Sequence, residues 1–328
     1  MEFVIHNHSS YPRIGDTPGQ QALRRATAAS ERGELDRAGL AMVEHSVIDE
    51  IVHEQEQTGV DVVTDGQVRW SDPIAHLMGG LEGVRLDGLL RYFDTNFYFR
   101  QPVVTAVVRR RAAMVRDDFI HASYAARCCV KPVLTGPYTL ARLSLIQSGV
   151  YPTWTALAHV LSDVLAAEVA DLVAAGARLV QIEEPAILAH PEDIRVLRDL
   201  LEPLWAARGS AELILATYFG DAAPLYAQLN SVPADIVALD LSYSPSLSEV
   251  ITATGASKVL ALGVVDGRST RLEQAPGVAA QVQRMLKRYP FESLHLLPSC
   301  GLEHLPRAAA RTKLACLVQI KRTLTGAV

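Results

Sequence analysis

Leu179-Val180-Gln181-Ile182-Glu183-Glu184-Pro185 opens as an apolar run of strand-forming residues and closes on two adjacent carboxylates and a proline. Ahead of it, Leu157, Val160, Leu161, Val164, Leu165, Val169 and Leu172 recur at three- and four-residue spacing, and Gly176 punctuates the end. That period predicts a long helix with one apolar face. A helix followed by a short buried strand is half of a βα unit, and such strands carry chemistry at their carboxyl ends, where the backbone leaves the core. Pro185 has no N–H to give a sheet ladder, so the strand stops there. Successive strand residues point to opposite faces, so only one of the two carboxylates can look toward a shared mouth; Glu183 is the candidate. The alternative is that both are rim carboxylates held in salt bridges.

Seven further apolar runs surround this one: Phe3–Asn7, Val60–Thr64, Lys131–Thr135, Leu213–Tyr218, Ile236–Asp240, Val259–Val264 and Leu294–Leu297. Helical patterns separate most of them. Near-continuous apolar strands alternating with helices mean a parallel sheet covered on both faces. Eight such units predict an α/β chain closed into a (β/α)8 TIM barrel. A doubly wound open sheet is the runner-up, but no Gly-x-Gly-x-x-Gly follows the first run. Between the second and third runs lies an excess stretch from Gly79 to Val130, with Tyr92-Phe93-Asp94-Thr95-Asn96-Phe97-Tyr98-Phe99 inside it. Its aromatic and β-branched content predicts a hairpin excursion over the barrel mouth, followed by a helix. With no linker or low-complexity segment, residues 1–328 are expected to form a single domain.

Composition narrows the function classes. A formal charge of −5 leaves no electrostatic footprint for nucleic acid. Arg109-Arg110-Arg111 is the basic run, expected as a solvated helix start. No apolar segment approaches the ~20 residues that span a bilayer, and the amino terminus lacks the features of a signal peptide. A cytoplasmic protein is expected, with no membrane partner. Four cysteines in 328 residues do not make a disulfide framework, so Cys128, Cys129 and Cys316 read as buried thiols.

If the barrel closes, Ser10, Asp65, Gln67, Thr135, Glu183, Thr217, Tyr218, Asp240, Asp266 and Cys300 end on one rim. Several carboxylates, a thiol and few cations suit a metal ion or a substrate amino group and suit a phosphate poorly. Gly263, Gly267 and Gly301 keep a phosphate site as a minor alternative. Cys300, in a Pro-Ser-Cys-Gly turn after the eighth run, can be a thiolate ligand, a nucleophile or a bystander. As a nucleophile it wants a base, and His304 or His295 could serve, although His295 fits better as a residue packed in the strand. His6 and His8, at the end of the first run, are further candidate ligands; for any one of these histidines a satisfied structural role is the ordinary reading.

Six stretches together resemble the cobalamin-independent methionine synthase family. They are Ser10-Tyr11-Pro12-Arg13-Ile14-Gly15, Asp61-Val62-Val63-Thr64-Asp65-Gly66, Lys131-Pro132-Val133-Leu134-Thr135-Gly136-Pro137, Gln181-Ile182-Glu183-Glu184-Pro185-Ala186, Leu262-Gly263-Val264-Val265-Asp266-Gly267 and Pro298-Ser299-Cys300-Gly301-Leu302. They fall in the family's order and span essentially the whole chain. Tyr218-Phe219-Gly220 and Phe93-Asp94-Thr95-Asn96 look more like the non-catalytic barrel of the two-barrel enzymes. The resemblance implies a zinc ion that lowers the pKa of the homocysteine thiol, and a thiolate that attacks the methyl of 5-methyltetrahydrofolate. It places Cys300 at the last cysteine ligand and Asp240 at a glutamate ligand. The family's His-x-Cys pair falls on Leu215 and Thr217, neither of which does that work. His6, His8 or His304 would have to complete the set. Glu183 matches the acid that holds the substrate's amino group, Gln67 stands where the family has a glutamate, and Leu143 replaces the tryptophan on which the pterin stacks.

Three functional expectations follow. The first is a methyltransferase moving a methyl or small alkyl group to or from a thiol amino acid, nearest to homocysteine-to-methionine. Its catalytic residues would be Glu183, Cys300 and Asp240, and its substrate contacts Ser10, Gln67, Thr135, Glu183, Tyr218 and Asp266. The second is the same barrel running a metal-independent transfer or a lyase step. The third is a non-catalytic barrel that holds an amino-acid-like ligand, alone, as a homo-oligomer or with a partner protein.

Overall fold

A computed structural model describes residues 1–147 and 149–326. Its strands in chain order are β1 (Glu2–Ile5), β2 (Val62–Val63), β3 (Leu81–Arg91), β4 (Tyr98–Arg110), β5 (Cys129–Val130), β6 (Val133–Thr135), β7 (Leu145–Ile146), β8 (Leu179–Glu183), β9 (Glu212–Thr217), β10 (Ile236–Asp240), β11 (Val259–Val265) and β12 (Ser293–Pro298). Two compact units share them: residues 1–69, 118–131 and 240 onward make the first, and 70–117 with 132–239 the second.

In the first unit β12 lies between β1 and β11, all parallel, with Ile5 opposite Leu296 and Ala261 opposite His295. β2 and β5 pair in parallel, and a bridge from His6 to Val62 continues from the end of β1. Ile5, Val63, Leu262 and Leu296 have no exposed surface. Two long helices cover this sheet. Arg37–Gln57 starts because the Asp36 carboxylate accepts the Gly39 N–H at 2.7 Å, and it buries Val47, Ile48, Ile51 and Val52. Arg307–Thr325 buries Ala310, Leu314, Leu317 and Ile320 at three- and four-residue spacing, and Gly326 ends it in the left-handed region that glycine adopts without strain.

In the second unit β6, β8, β9 and β10 run parallel, with Thr135 opposite Glu183, Glu183 opposite Ala216 and Thr217 opposite Leu239. Every residue of β8 is buried, as a strand covered on both faces must be. The helix before it, Trp154–Ala174, buries Leu157, Leu161, Leu165, Val169 and Leu172, and the Thr153 hydroxyl caps it by accepting the Ala156 N–H at 3.2 Å. β3 and β4 form an antiparallel hairpin, which β7 extends. That is the excursion expected between the second and third runs, and the helix Arg116–Ala125 follows it.

Three local expectations give way. Arg109 and Arg110 close β4 and do not start a solvated helix. Arg110 binds Glu168 at 2.5 Å and Asp171 at 2.6 Å, and Glu168 also accepts the Val115 N–H at 2.8 Å. The acidic partners lie far along the chain, out of reach of any local pattern. The third run is also not one strand. It breaks at Lys131-Pro132, where proline supplies no ladder donor, into β5 and β6. Cys128 and Cys129 are half-buried, while Cys316 is buried. Among the described residues no helix is long and apolar enough to cross a membrane.

Candidate active site

The second unit presents a buried carboxylate. Glu183, the last residue of β8, is 2 % exposed. The Tyr218 hydroxyl donates to its Oε2 at 2.8 Å and the Gln181 amide to its Oε1 at 3.0 Å. Tyr218 immediately follows β9, one strand over. Burial, then the Glu183 charge, holds its phenol well above the ordinary range, so it keeps the proton it donates. The ring of Phe219 stands edge-on to Tyr218, with centroids 4.7 Å apart. Thr135 lies beside Glu183 in register, but its hydroxyl already donates to the Pro73 carbonyl at 2.8 Å.

Glu184 does different work. Its two carboxylate oxygens accept the N–H groups of Tyr138 at 2.9 Å and Thr139 at 2.7 Å, at the start of the helix Pro137–Arg142. A side chain at Gly136 would run into this carboxylate. Burial pushes the Glu184 carboxyl up to about 7 in spite of the two donors.

The first unit presents a thiol turn. Cys300 follows β12 and is 1 % exposed. Burial pushes its thiol well above the ordinary range, and the charges of Glu303, Asp240 and Asp266 push the same way. The Ser10 hydroxyl donates to Glu303, and the Leu302 N–H donates to the Ser10 carbonyl at 3.0 Å. Ser10, Asp240, Asp266 and Cys300 are thus gathered around one turn. Asp240 and Asp266 also serve their own loops. Asp240 accepts the Ser242 N–H at 2.7 Å, and Asp266 accepts that of Arg268 at 2.8 Å.

The other candidates of this unit stand in smaller groups. Gln67 adopts a left-handed backbone with φ of 54°, and its N–H donates to Asp65 at 3.1 Å. Its buried side-chain amide nitrogen has no hydrogen-bond partner among the described residues. Burial, then the charge of Asp118, pushes the Asp65 carboxyl up to about 7. His6 and His295 pack 4.7 Å apart. Burial and the Lys131 ammonium lower both, His295 to about 4, so both rings are neutral at pH 7. His8 lies 3.1 Å from the Ser9 hydroxyl, and His304 lies 3.3 Å from Glu303.

Glu303 and Tyr92 escaped the reading of the sequence. Glu303 sits three residues past Cys300 in the turn already singled out, so its spacing was a usable signal. Tyr92 lies on the hairpin, its hydroxyl 3.2 Å from that of Tyr218; nothing local announces a contact across 126 positions.

A family profile described as "Cobalamin-independent synthase, Catalytic domain" matches residues 11–323. The chain belongs to the cobalamin-independent methionine synthase family. The methionine synthase of Saccharolobus solfataricus is 28% identical over 309 residues, 93% of this chain and 92% of that protein. That of Sulfurisphaera tokodaii is 29% identical over 313 residues, 93% and 89% of the two chains. A solved B12-independent methionine synthase from Shewanella sp. W3-18-1, in complex with selenomethionine, shares the fold at a TM-score of 0.79 and 19% identity, covering 98% of this chain and 97% of that one. The fold class is therefore the family's (β/α)8 barrel, and family membership makes the chain a methyltransferase-class enzyme.

The zinc that the family implies does not fit these residues. On the resemblance given above, the family's His-x-Cys pair falls on Leu215 and Thr217. Leu215 is a core residue of β9, and the buried Thr217 hydroxyl has no hydrogen-bond partner among the described residues. Among the described residues, one set of three His, Cys, Asp or Glu donors lies within 4.8 Å: His190, Glu192 and Asp193. There Arg142 already places its guanidinium 2.6 Å from His190 Nε2. Cys300 and Asp240 form no such set with His6, His8 or His304. A catalytic zinc site ordinarily has three protein ligands. Leu143, which the resemblance sets against the family's pterin-stacking tryptophan, is a half-buried aliphatic residue at the end of the helix Pro137–Arg142 and offers no ring for stacking.

Proposed function

We propose that the chain is a single catalytic domain that transfers a methyl group to the thiol of an amino acid, with homocysteine to methionine the nearest reaction. The observation that carries this reading is the Glu183 carboxylate, fixed at the end of β8 by Tyr218 and Gln181 and suited to receive the substrate's α-ammonium. Selenomethionine in the Shewanella relative, an amino acid with a methylated chalcogen, supports the same substrate class.

In the transfer, a sulfur lone pair forms the new S–C bond as the donor–methyl bond breaks, and that bonding pair leaves with the donor. The thiol proton must go to a base, because a free thiol near pKa ~8.5 is only a few per cent ionised at neutral pH. Cys300, held protonated among Asp240, Asp266 and Glu303, is proposed not to be a ready nucleophile. Leu215 and Thr217 favour transfer without a resident zinc, and Leu143 favours a methyl donor other than 5-methyltetrahydrofolate.

Calorimetry with L-methionine tests the carrying observation. Glu183→Gln should weaken binding at least tenfold, about 2 kcal/mol for a hydrogen bond to a charged group. Unchanged affinity would remove Glu183 from the site. Turnover of homocysteine with a panel of methyl donors supports an enzyme; binding without turnover supports the non-catalytic alternative. Purified protein should carry less than about a tenth of an equivalent of transition metal, and a full equivalent of zinc would reverse the metal-independent reading.

A further inference from the structure

We propose that Tyr92, carried by the β3–β4 hairpin, is a positioning residue for Glu183 and acts through Tyr218. This rests on the reading of Glu183 as the substrate's amino-group partner.

A tyrosine hydroxyl has one proton to give. Tyr218 gives its proton to Glu183 Oε2 at 2.8 Å. The 3.2 Å contact between the two phenol oxygens must therefore run from Tyr92 to Tyr218. A hydroxyl that accepts a hydrogen bond becomes a stronger donor, so the Tyr92 proton strengthens the bond that aims the carboxylate. All three side chains are at least 96 % buried, where water cannot replace either bond.

The hairpin is built to hold that hydroxyl in place. The Tyr92 N–H donates to the Phe97 carbonyl at 2.8 Å, and the Thr95 hydroxyl donates back to the Tyr92 carbonyl at 2.5 Å. Arg91 ties the Thr95 carbonyl from the other side at 2.5 Å. Phe93 and Phe219 both take left-handed backbones, with φ of 50° and 64°, which bulky residues adopt only where their surroundings impose it. Their rings pack 6.0 Å apart, and each also meets Tyr92, Phe93 at 4.7 Å and Phe219 at 6.2 Å. The strained pair brackets the relay from the hairpin side and from the end of β9.

The test is a double-mutant cycle read by calorimetry with L-methionine on the full chain. Tyr92→Phe keeps the ring and its packing and removes only the hydroxyl. It should weaken binding about fivefold, and Tyr218→Phe about tenfold. In the Tyr218→Phe background, Tyr92→Phe should add less than a twofold loss. With homocysteine as substrate, Tyr92→Phe should raise KM and leave kcat within twofold. Equal losses in both backgrounds, or a Tyr92→Phe chain that binds like the wild type while Glu183→Gln does not, would overturn the proposal alone. A wild-type chain that does not bind methionine would overturn the reading of Glu183 and this inference with it.

Discussion

Cys300 lies among the acidic side chains of Glu303, Asp240 and Asp266, whereas Glu183 lies against a hydroxyl and an amide, those of Tyr218 and Gln181. Both groups are almost fully buried, so burial alone does not separate them. Their neighbours do. Around Cys300 burial and nearby charge push in one direction, and the thiol stays protonated. Around Glu183 neutral donors point hydrogen atoms at the oxygens, which orients the carboxylate. A buried thiol among carboxylates is held protonated, whatever its place in the sequence. The Glu183 carboxylate has two neutral donors that hold it in place.

Each region also depends on a glycine that makes room for a carboxylate: Gly136 for Glu184, and Gly301 for Glu303 together with the Ser10 hydroxyl that binds it. The two should respond differently to an added methyl. Glu184 cannot move without leaving the Tyr138 and Thr139 N–H groups buried and unsatisfied, so Gly136→Ala should cost about 3 kcal/mol in urea unfolding. A loss under about 1 kcal/mol would show that the cap is not fixed. Asp65→Asn should have the next largest effect. Its folded value is about 7 against an ordinary 3.8. A carboxyl raised in the folded state contributes stability that is full below the unfolded value and lost as pH rises through the folded one. The wild type should therefore lose stability between roughly pH 4 and 7 that Asp65→Asn retains. Parallel stability curves for the two proteins would show that Asp65 titrates normally. Gly301→Ala should cost least, about 1 kcal/mol, because its Cβ would meet only the ends of two side chains, the short Ser10 hydroxyl, which can rotate, and Glu303, which is 25% exposed and can swing toward water. A cost equal to that of Gly136→Ala would erase the distinction between the two carboxylates.

Much of the fold could be read from residue patterns. The period through Leu157 and Leu172 marked the helix before β8, and the aromatic stretch around Tyr92 marked the hairpin. The Arg109-Arg110-Arg111 run misled because Arg110 takes its meaning from Glu168, 58 residues away. The site was partly legible for the same reason. Glu183 and Cys300 stand out at strand ends, while Glu303 and Tyr92 matter only through what they touch.

The chain's own order of residues determined the alternation of strands and helices, the stop at Pro185 and the absence of His-x-Cys at Leu215 and Thr217. A period, a missing N–H and a missing ligand are properties of neighbours along the chain. Only the tertiary structure decided that Glu183 meets Tyr218 and Tyr92 while Glu184 caps a helix, and that Cys300 is ringed by acids. Hydrogen bonding and charge act through space, and the Tyr218 bond to Glu183 spans 35 positions in sequence.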